Sequence, residues 1–521
     1  MVKYHWKLNM NIEVNNMNGI PQLNEKCTGA FVASAIGDAL GWPNEFRSSN
    51  TKKQSKPVSD FIEWQRRTGG RYWSHTEKIL AGEYSDDTQM ILAVARSLLS
   101  GKSWSSHFIT NELPFWLEYE RGGGRAMQSA ASSWKNKTAP WQNKNPQSYF
   151  SAGGNGAAMR VLPHIVLHIY SSSFEPIADE IVTDAMLTHG HPRAIVGALC
   201  FAYALYYLFK KESTLSYGEL VKAVCEAKSQ WGQFPTVFNN DWLSAANIEF
   251  AYNELWHNTV EATVHALEIV LEALSKGLLD SETETLSRLQ YFDKAVNGAG
   301  DISAVVSIYL ASKYANNPSL GLKSAANALG GDTDTIASMT GGLLGTICGM
   351  EWIPIEWKFV QDYDCLVRMA NFLLKESKAQ DTNGNKLEQP QREHTSIGNC
   401  KRITTYELPS GKTGTVRISK YMTALGQTFY VKKFFREKTL ESHLTQTPAQ
   451  PLQKYSILIN SSQILSLKND FSSTSISLVT VLNILEIINQ GITDLSFIAK
   501  KAGVSIEIIQ KLNSLLIIDD H

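Results

Sequence analysis

The stretch GGDTDTIASMTGGLLGTICG, residues Gly330 to Gly349, decides the fold prediction. A glycine pair precedes Asp332, Thr333, Asp334 and Thr335, and an uncharged run of small and apolar residues follows. Asp and Thr are good N-cap residues, and the helix dipole favours negative charge at a helix start. A second carboxylate close by is repelled unless a cation or a proton neutralises it, and burial increases that cost. The stretch therefore predicts a buried helix whose first turn is either simply capped or part of a metal or catalytic site.

A second stretch upstream, GEYSDDTQM, has the same design. Asp86 and Asp87 are flanked by the hydroxyls of Ser85 and Thr88, and a mostly apolar helix is predicted to follow. Two acidic helix starts in one domain indicate that both converge on shared divalent cations. Carboxylates and hydroxyls form an all-oxygen ligand set, which suits Mg²⁺, Mn²⁺ or Ca²⁺ and does not suit zinc.

The composition is that of an ordinary globular protein. The chain has 521 residues, a net charge of −1, 43% hydrophobic residues and 19% charged residues. This length allows two to four domains of about 100–200 residues each, and the balanced charge argues against a dedicated polyanion binder. The six cysteines are scattered without CxxC spacing. They predict a reducing compartment, with neither a zinc ribbon nor a disulfide framework.

Neither a secretory signal nor a membrane span is predicted. The N-terminus, MVKYHWKLNMNIEVNNMNG, lacks a continuous apolar core. The longest apolar run, AIVGALCFAYALYYLF (residues 194–209), is shorter than the ~20 residues that a membrane span needs. We therefore expect a buried core helix there, and a cytoplasmic protein with no membrane contact.

The hydrophobic pattern divides the chain into segments. Residues 22–378 follow an N-terminal tail and show helical spacing almost throughout, which predicts one large all-α domain. A polar linker is predicted over 379–398, and residues 399–440, with PSGKTG as a turn, predict a short hairpin or small sheet. Residues 450–521 return to helical spacing and resemble a helix-turn-helix module. The tail itself spans residues 1–21.

Three further stretches contribute polar groups at helix ends. GAFVASAIGDALGWPNEF predicts a small-residue helix that ends at a Gly/Pro turn, with Glu45 just after it. SAGGNGAAMRVLP, residues 151–163, places a glycine-rich loop before a helix, and such backbone can approach a phosphate closely. LTHGHPRA places His189 at a break between two helices. Each stretch alone is also compatible with a structural role: an exposed loop acid, an ordinary turn or a hydrogen-bonding histidine.

Taken in order, the five stretches resemble the ADP-ribosylglycohydrolases, which include the ADP-ribosyl-arginine and ADP-ribosyl-serine hydrolases and the dinitrogenase-reductase-activating enzyme. The matching pieces are GDALGWPNE, GEYSDDTQM, GGNGAAMRVLP, LTHGHPRA and NALGGDTDTIASMTGGLLGTICG with IPIEW after it, and they span about residues 22–375. The resemblance implies an all-α fold, a large orthogonal helical bundle with two Mg²⁺ or Mn²⁺ ions at the base of an ADP-ribose cleft.

The resemblance also assigns roles to individual residues. Glu45 stands at the position of a glutamate that gates the metal site and assists catalysis in some members, with Asp87 and Asp332 as further catalytic candidates. Ser85 stands where many relatives have threonine, and the hydroxyl is kept. The implied metal ligands are Ser85, Asp86, Asp87, Asp332, Asp334 and Thr335.

The cleft-lining residues are implied in the same way. The loop from Gly153 to Gly156 would cradle the pyrophosphate and the distal ribose, with Asn155 facing the ligand. Tyr84 and Phe150 are candidates for stacking on adenine, although neither can be chosen from the sequence. The implied substrate-binding residues are Gly123, Gly124, Ser151, Gly153, Gly154, Asn155, Gly156 and His189.

The implied reaction is hydrolysis of the bond between ribose C1″ and a nitrogen or oxygen of a protein side chain, with arginine as the first choice. Such cleavage passes through an oxocarbenium-like state. Divalent cations can orient the ribose hydroxyls and acidify water, and a carboxylate such as Glu45 can accept the proton.

Three alternatives remain open from the sequence. The domain could be a non-catalytic module that binds ADP-ribose or a protein, or it could act on a serine-linked, nucleic-acid-linked or small-molecule conjugate. A nucleic-acid regulator built on the C-terminal helices is disfavoured, because residues 505–516 contain one cation, Lys511, whereas DNA backbones require several. We therefore expect a monomer whose C-terminal module contacts a protein partner.

Overall fold

A computed structural model describes four segments of the chain. They are residues 20–45, 57–381, 400–411 and 414–436. The predicted tail and linker lie almost entirely outside the described residues, and the predicted helical module over 450–521 lies wholly outside them.

Helices dominate the described chain, which confirms the prediction of an all-α core. The α-helices are α1 (Leu23–Glu45), α2 (Asp86–Leu98), α3 (Trp104–His107), α4 (Leu113–Tyr119), α5 (Arg125–Lys135), α6 (Gln147–Phe150), α7 (Leu162–Leu167), α8 (Glu175–Met186), α9 (Pro192–Lys210), α10 (Glu219–Glu226), α11 (Lys228–Trp231), α12 (Asn240–Glu249), α13 (Tyr252–Ser275), α14 (Glu282–Arg288), α15 (Gly300–Lys313), α16 (Pro318–Ala326), α17 (Thr333–Cys348) and α18 (Tyr363–Asp381). The strands are β1 (Trp64–Thr68), β2 (His75–Ile79), β3 (Cys400–Ser410), β4 (Gly414–Thr423) and β5 (Thr428–Arg436).

Helices α1 and α17 form the centre of the domain and pack with their backbones in contact. A Cβ atom added to Gly41 would lie 2.2 Å from the carbonyl oxygen of Thr333, and one added to Gly345 would lie 2.1 Å from that of Gly29. The early part of α1 therefore faces the late part of α17, so the two helices are antiparallel. Because only glycine allows this approach, the small residues of both helices determine how they pair.

The antiparallel pairing brings the end of α1 to the start of α17. The sequence predicted that α1 ends before Glu45, but the helix continues through Pro43 and ends at Glu45 itself. Contacts with other helices hold this last turn, since the hydroxyl of Thr333 donates to the carbonyl of Gly41 at 2.9 Å. The amide of Asn44 also donates to the carbonyl of Ala326. These contacts outweigh the helix-ending preference of the Gly/Pro sequence.

A short hairpin within the helical domain was missed by the sequence analysis. Strands β1 and β2 pair antiparallel, with Trp64 opposite Ile79 and Thr68 opposite His75. The buried positions of β2 are His75, Glu77 and Ile79. Two of these three are polar, so the alternation that would indicate a half-buried strand is not hydrophobic.

The small sheet predicted after the linker is present and has three strands in the order β3-β4-β5. It belongs to the same compact unit as the helices. Phe429 on β5 is buried against Phe115 and Tyr119 of α4. The sheet is therefore packed onto the helical domain.

The run predicted to be a core helix forms α9. This helix is long and apolar enough to cross a membrane by length and composition alone, but 83% of its most apolar window is buried inside the domain. That burial is typical of a core helix. All six cysteines are free thiols.

Candidate active site

The first acidic helix start is fixed to the central helix α1 by Asp38. Its carboxylate accepts hydrogen bonds from the backbone N–H groups of Ser85 and Thr88, at 2.9 and 3.0 Å. It also accepts one from the Thr88 hydroxyl at 2.7 Å. Ser85 is the N-cap of α2, and its hydroxyl oxygen accepts from the backbone N–H of Asp87. Asp38 thus satisfies N–H groups that a helix start leaves without partners inside the helix.

The second acidic helix start meets the first directly. The hydroxyl of Thr335, in the first turn of α17, donates to Asp87 Oδ2 at 3.2 Å. Oxygen atoms of Asp38, Asp87 and Asp334 all lie within 4.8 Å of one another, and all three side chains are buried. The structure therefore brings together the two helix starts that the sequence predicted to converge.

This cluster has the chemistry of a site for hard cations. Burial, followed by repulsion from neighbouring carboxylates, raises the pKa of Asp86, Asp87 and Asp334 well above the usual range. Asp87 Oδ1 is buried and has no hydrogen-bond partner among the described residues. Both oxygens of Asp38 already accept hydrogen bonds, so Asp87 is the better ligand. Buried carboxylates without a counter-charge fit divalent cations held by oxygen atoms.

Glu45 lies beside this cluster, at the last residue of α1. It lines the same cavity, and its Oε2 is buried with no hydrogen-bond partner among the described residues. Burial and then repulsion from Asp332 and Asp86 raise its pKa to about 8. A group with such a pKa can exchange a proton near neutral pH.

The predicted glycine loop reaches the same place from the opposite side. Asn155 donates its side-chain N–H to Asp332 Oδ2 at 2.9 Å and to the hydroxyl of Ser303 at 3.1 Å. Its backbone N–H donates to the carbonyl of Gly298 at 3.0 Å. These bonds fix the loop on α15 and on the start of α17, and they turn the Asn155 side chain towards Asp332 of the acidic cluster.

A cavity of about 640 Å³ opens above the cluster. Four residues predicted for the site do not line it. Ser85 is buried at the start of α2, and Ser151 is exposed where α6 ends. Gly123 lies against the Trp116 ring, which a Cβ there would meet at 2.3 Å. The carbonyl of Gly153 accepts a hydrogen bond from the backbone N–H of Gly300. The predicted residues that line it are Glu45, Asp86, Asp87, Gly124, Gly154, Asn155, Gly156, His189, Asp332, Asp334 and Thr335.

His189 is a neutral hydrogen-bonding group in this wall. Burial and then the charge of Arg160 lower its pKa to about 3, and its Nδ1 lies 2.8 Å from the Thr188 hydroxyl. The buried guanidinium of Arg160 donates to Thr188 at 2.9 Å and to the carbonyl of Gly156 at 3.0 Å. Arg160 therefore holds the glycine loop and the histidine in one arrangement.

Neither aromatic candidate for adenine stacking lines the cavity. Tyr84 is buried away from the cavity and donates its hydroxyl to Asp362 at 2.6 Å. Phe150 is also fully buried in the core. The neighbouring Tyr149 lines the cavity instead. Both side chains come directly before a site motif in the sequence, but the backbone directs them into the protein core.

The sequence analysis missed two residues that shape the site, Asp38 and Arg160. Asp38 stands in the middle of an apolar helix, where a buried carboxylate was itself the signal. Arg160 follows the glycine loop as a lone charge before a buried helix. Gly122 lines the cavity with a φ of +114°, and a Cβ there would lie 2.8 Å from Asp86 Oδ1.

A helical domain with a substrate-sized cleft over buried carboxylates defines a class: all-α proteins that can hold hard cations beneath a ligand. The sequence pattern of the ADP-ribosylglycohydrolase family matches residues 20–383. The chain belongs to the ADP-ribosylglycohydrolase family, as the five motifs predicted.

Relatives within this family are distant. The chain is 28% identical over 198 residues to the ADP-ribosyl-[dinitrogen reductase] glycohydrolase of Rhodospirillum rubrum, covering 36% of this chain and 59% of that protein. It is 27% identical over 350 residues to the ADP-ribosylhydrolase ARH3 of Danio rerio, covering 63% and 84%. It is 27% identical over 209 residues to the ADP-ribosylarginine hydrolase Tri1 of Pseudomonas putida, covering 37% and 50%. The chain thus spans about half the length of two of these relatives.

A solved structure titled ADP-ribosylglycohydrolase-related protein complex is also similar. It has a TM-score of 0.46 and 19% identity, and the match covers 68% of this chain and 99% of that one.

Proposed function

We propose that this protein is a metal-dependent hydrolase that removes ADP-ribose from modified arginine side chains of proteins. The observation that carries the proposal is the contact between Thr335 and Asp87, which joins two acidic helix starts in the floor of the cleft. The name of the similar Tri1 protein, an ADP-ribosylarginine hydrolase, supports arginine as the modified residue.

The donor set fits two cations, Mg²⁺ or Mn²⁺. Their ligands would be Asp86, Asp87 and Asp334, with Asp332 and the hydroxyl of Thr335. Divalent cations bound there supply Lewis acidity to ribose hydroxyls and to water.

Glu45 moves the proton in the proposed reaction. Burial is the largest cause of its raised pKa, and the carboxylates of Asp332, Asp86 and Asp38 add to it, so cations that neutralise those carboxylates lower the pKa and favour the ionised form of Glu45. Its unpartnered Oε2 is then able to accept a proton from the attacking water. The backbone of Gly154 and Gly156 and the neutral imidazole of His189 bind the diphosphate and ribose without adding charge.

The test is a panel of proteins carrying ADP-ribose on arginine, serine, glutamate or cysteine, assayed for released ADP-ribose. We expect release from arginine, loss of release after EDTA treatment, and recovery with Mg²⁺ or Mn²⁺. Asp87→Ala and Asp332→Ala should be inactive and still folded. Full turnover after exhaustive EDTA treatment would contradict the metal requirement.

The same panel separates the alternatives. Release from serine or from a nucleic-acid conjugate would change the substrate and keep the enzyme. Binding of ADP-ribose without any release would favour the non-catalytic module. We further propose that the protein acts as a monomer in the cytoplasm and that residues 450–521 recruit a protein partner. Cell fractionation, sedimentation and affinity capture with and without these residues test those three points.

A further inference from the structure

A buried cluster of charges joins strand β5 to the wall of the cleft. The Arg121 guanidinium lies 3.2 Å from a Glu77 oxygen and 2.9 Å from a Glu83 oxygen. Lys432 Nζ lies 3.1 Å from the other oxygen of Glu77, and the hydroxyl of Tyr430 donates to Glu83. All five side chains are largely buried, with Lys432 9% exposed. We call these five residues the β5 ion cluster.

The cluster is connected to the cleft through one short loop. Lys432 Nζ donates to the backbone carbonyl of Glu120 at 3.2 Å, and Arg121 is the next residue. The carboxylate of Glu120 then accepts from the backbone N–H of Gly123 at 3.2 Å. Between them, Gly122 lines the cavity and lies against Asp86 Oδ1. The loop that touches a proposed metal ligand is therefore fixed on both sides of Gly122.

The two basic and two acidic side chains of the cluster balance in charge, so each depends on the others. Burial by itself would raise the pKa of Glu77, yet Arg121 and Lys432 together hold it below its usual value. Removing one member of a buried ion pair leaves the other charge uncompensated. Loss of Lys432 would thus free both the Glu120 carbonyl and one side of Glu77.

We propose that Lys432, on a strand beyond the region matched by the family pattern, is a positioning residue for this cleft. It fixes the loop of residues 120–124 and thereby keeps Gly122 against Asp86. The sheet β3–β5 is then a working part of the active site and not an appendage. The loop claim stands on its own, and only its consequence for ligand binding rests on the proposed function.

The experiment compares Lys432→Met with Lys433→Met in the full chain. Lys433 is the neighbouring exposed lysine of β5 and serves as the matched control. Hydrogen exchange of amides in residues 120–124 is measured first, at a temperature well below unfolding. We expect exchange about tenfold faster in Lys432→Met, the effect of losing about one hydrogen bond that holds the loop, and no change in α15 or in the control. Lys432→Arg, which restores the charge and donors, should return exchange towards the original rate.

The second measurement is the Kd for ADP-ribose at saturating Mn²⁺. We expect it to be about tenfold higher for Lys432→Met and unchanged for Lys433→Met. If the original protein does not bind ADP-ribose, the proposed function fails while the exchange measurement still decides the role of Lys432. Unchanged loop exchange in Lys432→Met would overturn the inference, as would equal effects from Lys433→Met. Should Lys432→Met not fold, Lys432→Gln, which keeps an N–H donor without the charge, takes its place with the same expected direction.

Discussion

The close contact between α1 and α17 makes Gly41→Ala a direct test of how the site is built. The added Cβ would lie 2.2 Å from the carbonyl oxygen of Thr333, whereas a close carbon–oxygen contact is about 3.3 Å. Because packed interiors transmit such overlaps, the helices must separate by roughly 1 Å there. This is the end of the pair that carries Glu45 and Asp332.

Two consequences follow from that displacement. A misplacement of about 1 Å can cost about a hundredfold in rate, so we expect kcat/KM to fall by that order and Mn²⁺ binding to weaken. Overpacking costs about 1–3 kcal/mol, against which replacing glycine by alanine in a helix gains about 1 kcal/mol. The free energy of unfolding should therefore fall by only about 0–2 kcal/mol.

Gly345→Ala is the matched control. Its Cβ would lie 2.1 Å from the carbonyl oxygen of Gly29, an almost identical overlap, but Gly29 is about 18 Å from Gly41 along α1. Thermal unfolding should give similar losses for the two variants. Mn²⁺ titration and release of ADP-ribose from a modified arginine protein should separate them, with only Gly41→Ala impaired. Equal impairment in both variants, or normal metal binding and turnover in Gly41→Ala, would refute the reasoning.

Three more predictions address the charges of the cleft. Asp334→Asn should abolish Mn²⁺ binding. It should also raise the Tm of the EDTA-treated protein, because it removes one of several buried like charges. Differential scanning fluorimetry without Mn²⁺ checks the rise in Tm, and the same measurement with Mn²⁺ checks the loss of stabilisation by the metal. Burial and then Asp332 and Asp86 raise the pKa of Glu45 to about 8, so the folded, metal-free protein binds a proton that the unfolded chain has released above about pH 4.5. Its Tm should therefore fall between about pH 5 and about pH 8, and saturating Mg²⁺ should reduce that slope by neutralising Asp332 and Asp86. Burial lowers the pKa of His189 to about 3, so ADP-ribose binding should show no histidine titration between about pH 5 and about pH 8. His189→Gln should raise the Kd for ADP-ribose by about tenfold, because one hydrogen bond is lost. The pH dependence of that Kd should not change.

The parts of the site that the sequence predicted are those with a local cause. Acidic residues and hydroxyls at a helix start act as caps, and this can be predicted from one segment of sequence alone. The glycine loop can be predicted from its composition. The helices of Asp86 and Asp332 were predicted for that reason. Their meeting in space was inferred from the presence of two such motifs in one domain, and the resemblance to a family supported that inference.

The parts that were missed depend on contacts between distant segments. Asp38 has no local partner, because the N–H groups that it accepts belong to α2. Strand β2 buries the polar residues His75 and Glu77, which contact residues of other elements. The sequence of this strand therefore shows no hydrophobic alternation from which a strand could be predicted. The role of Lys432 depends on Glu120, a residue 312 positions earlier in the chain. Sequence patterns predict local structure well, but they do not predict buried polar pairs between residues that are far apart in the chain.

The glycine contacts and the acidic cluster explain each other. Helices with ordinary side chains pack with axes about 8–10 Å apart, and glycines bring α1 and α17 closer. Asp332 is then near enough to raise the pKa of Glu45. Glu45 also stands at the C-terminal end of a helix, where the dipole is unfavourable for a carboxylate. Arg66 is the basic residue that lowers the pKa of both Glu45 and Asp86, but burial and the neighbouring carboxylates outweigh it, because both pKa values remain raised. The helix packing therefore creates an excess of negative charge that cations from solution are suited to neutralise.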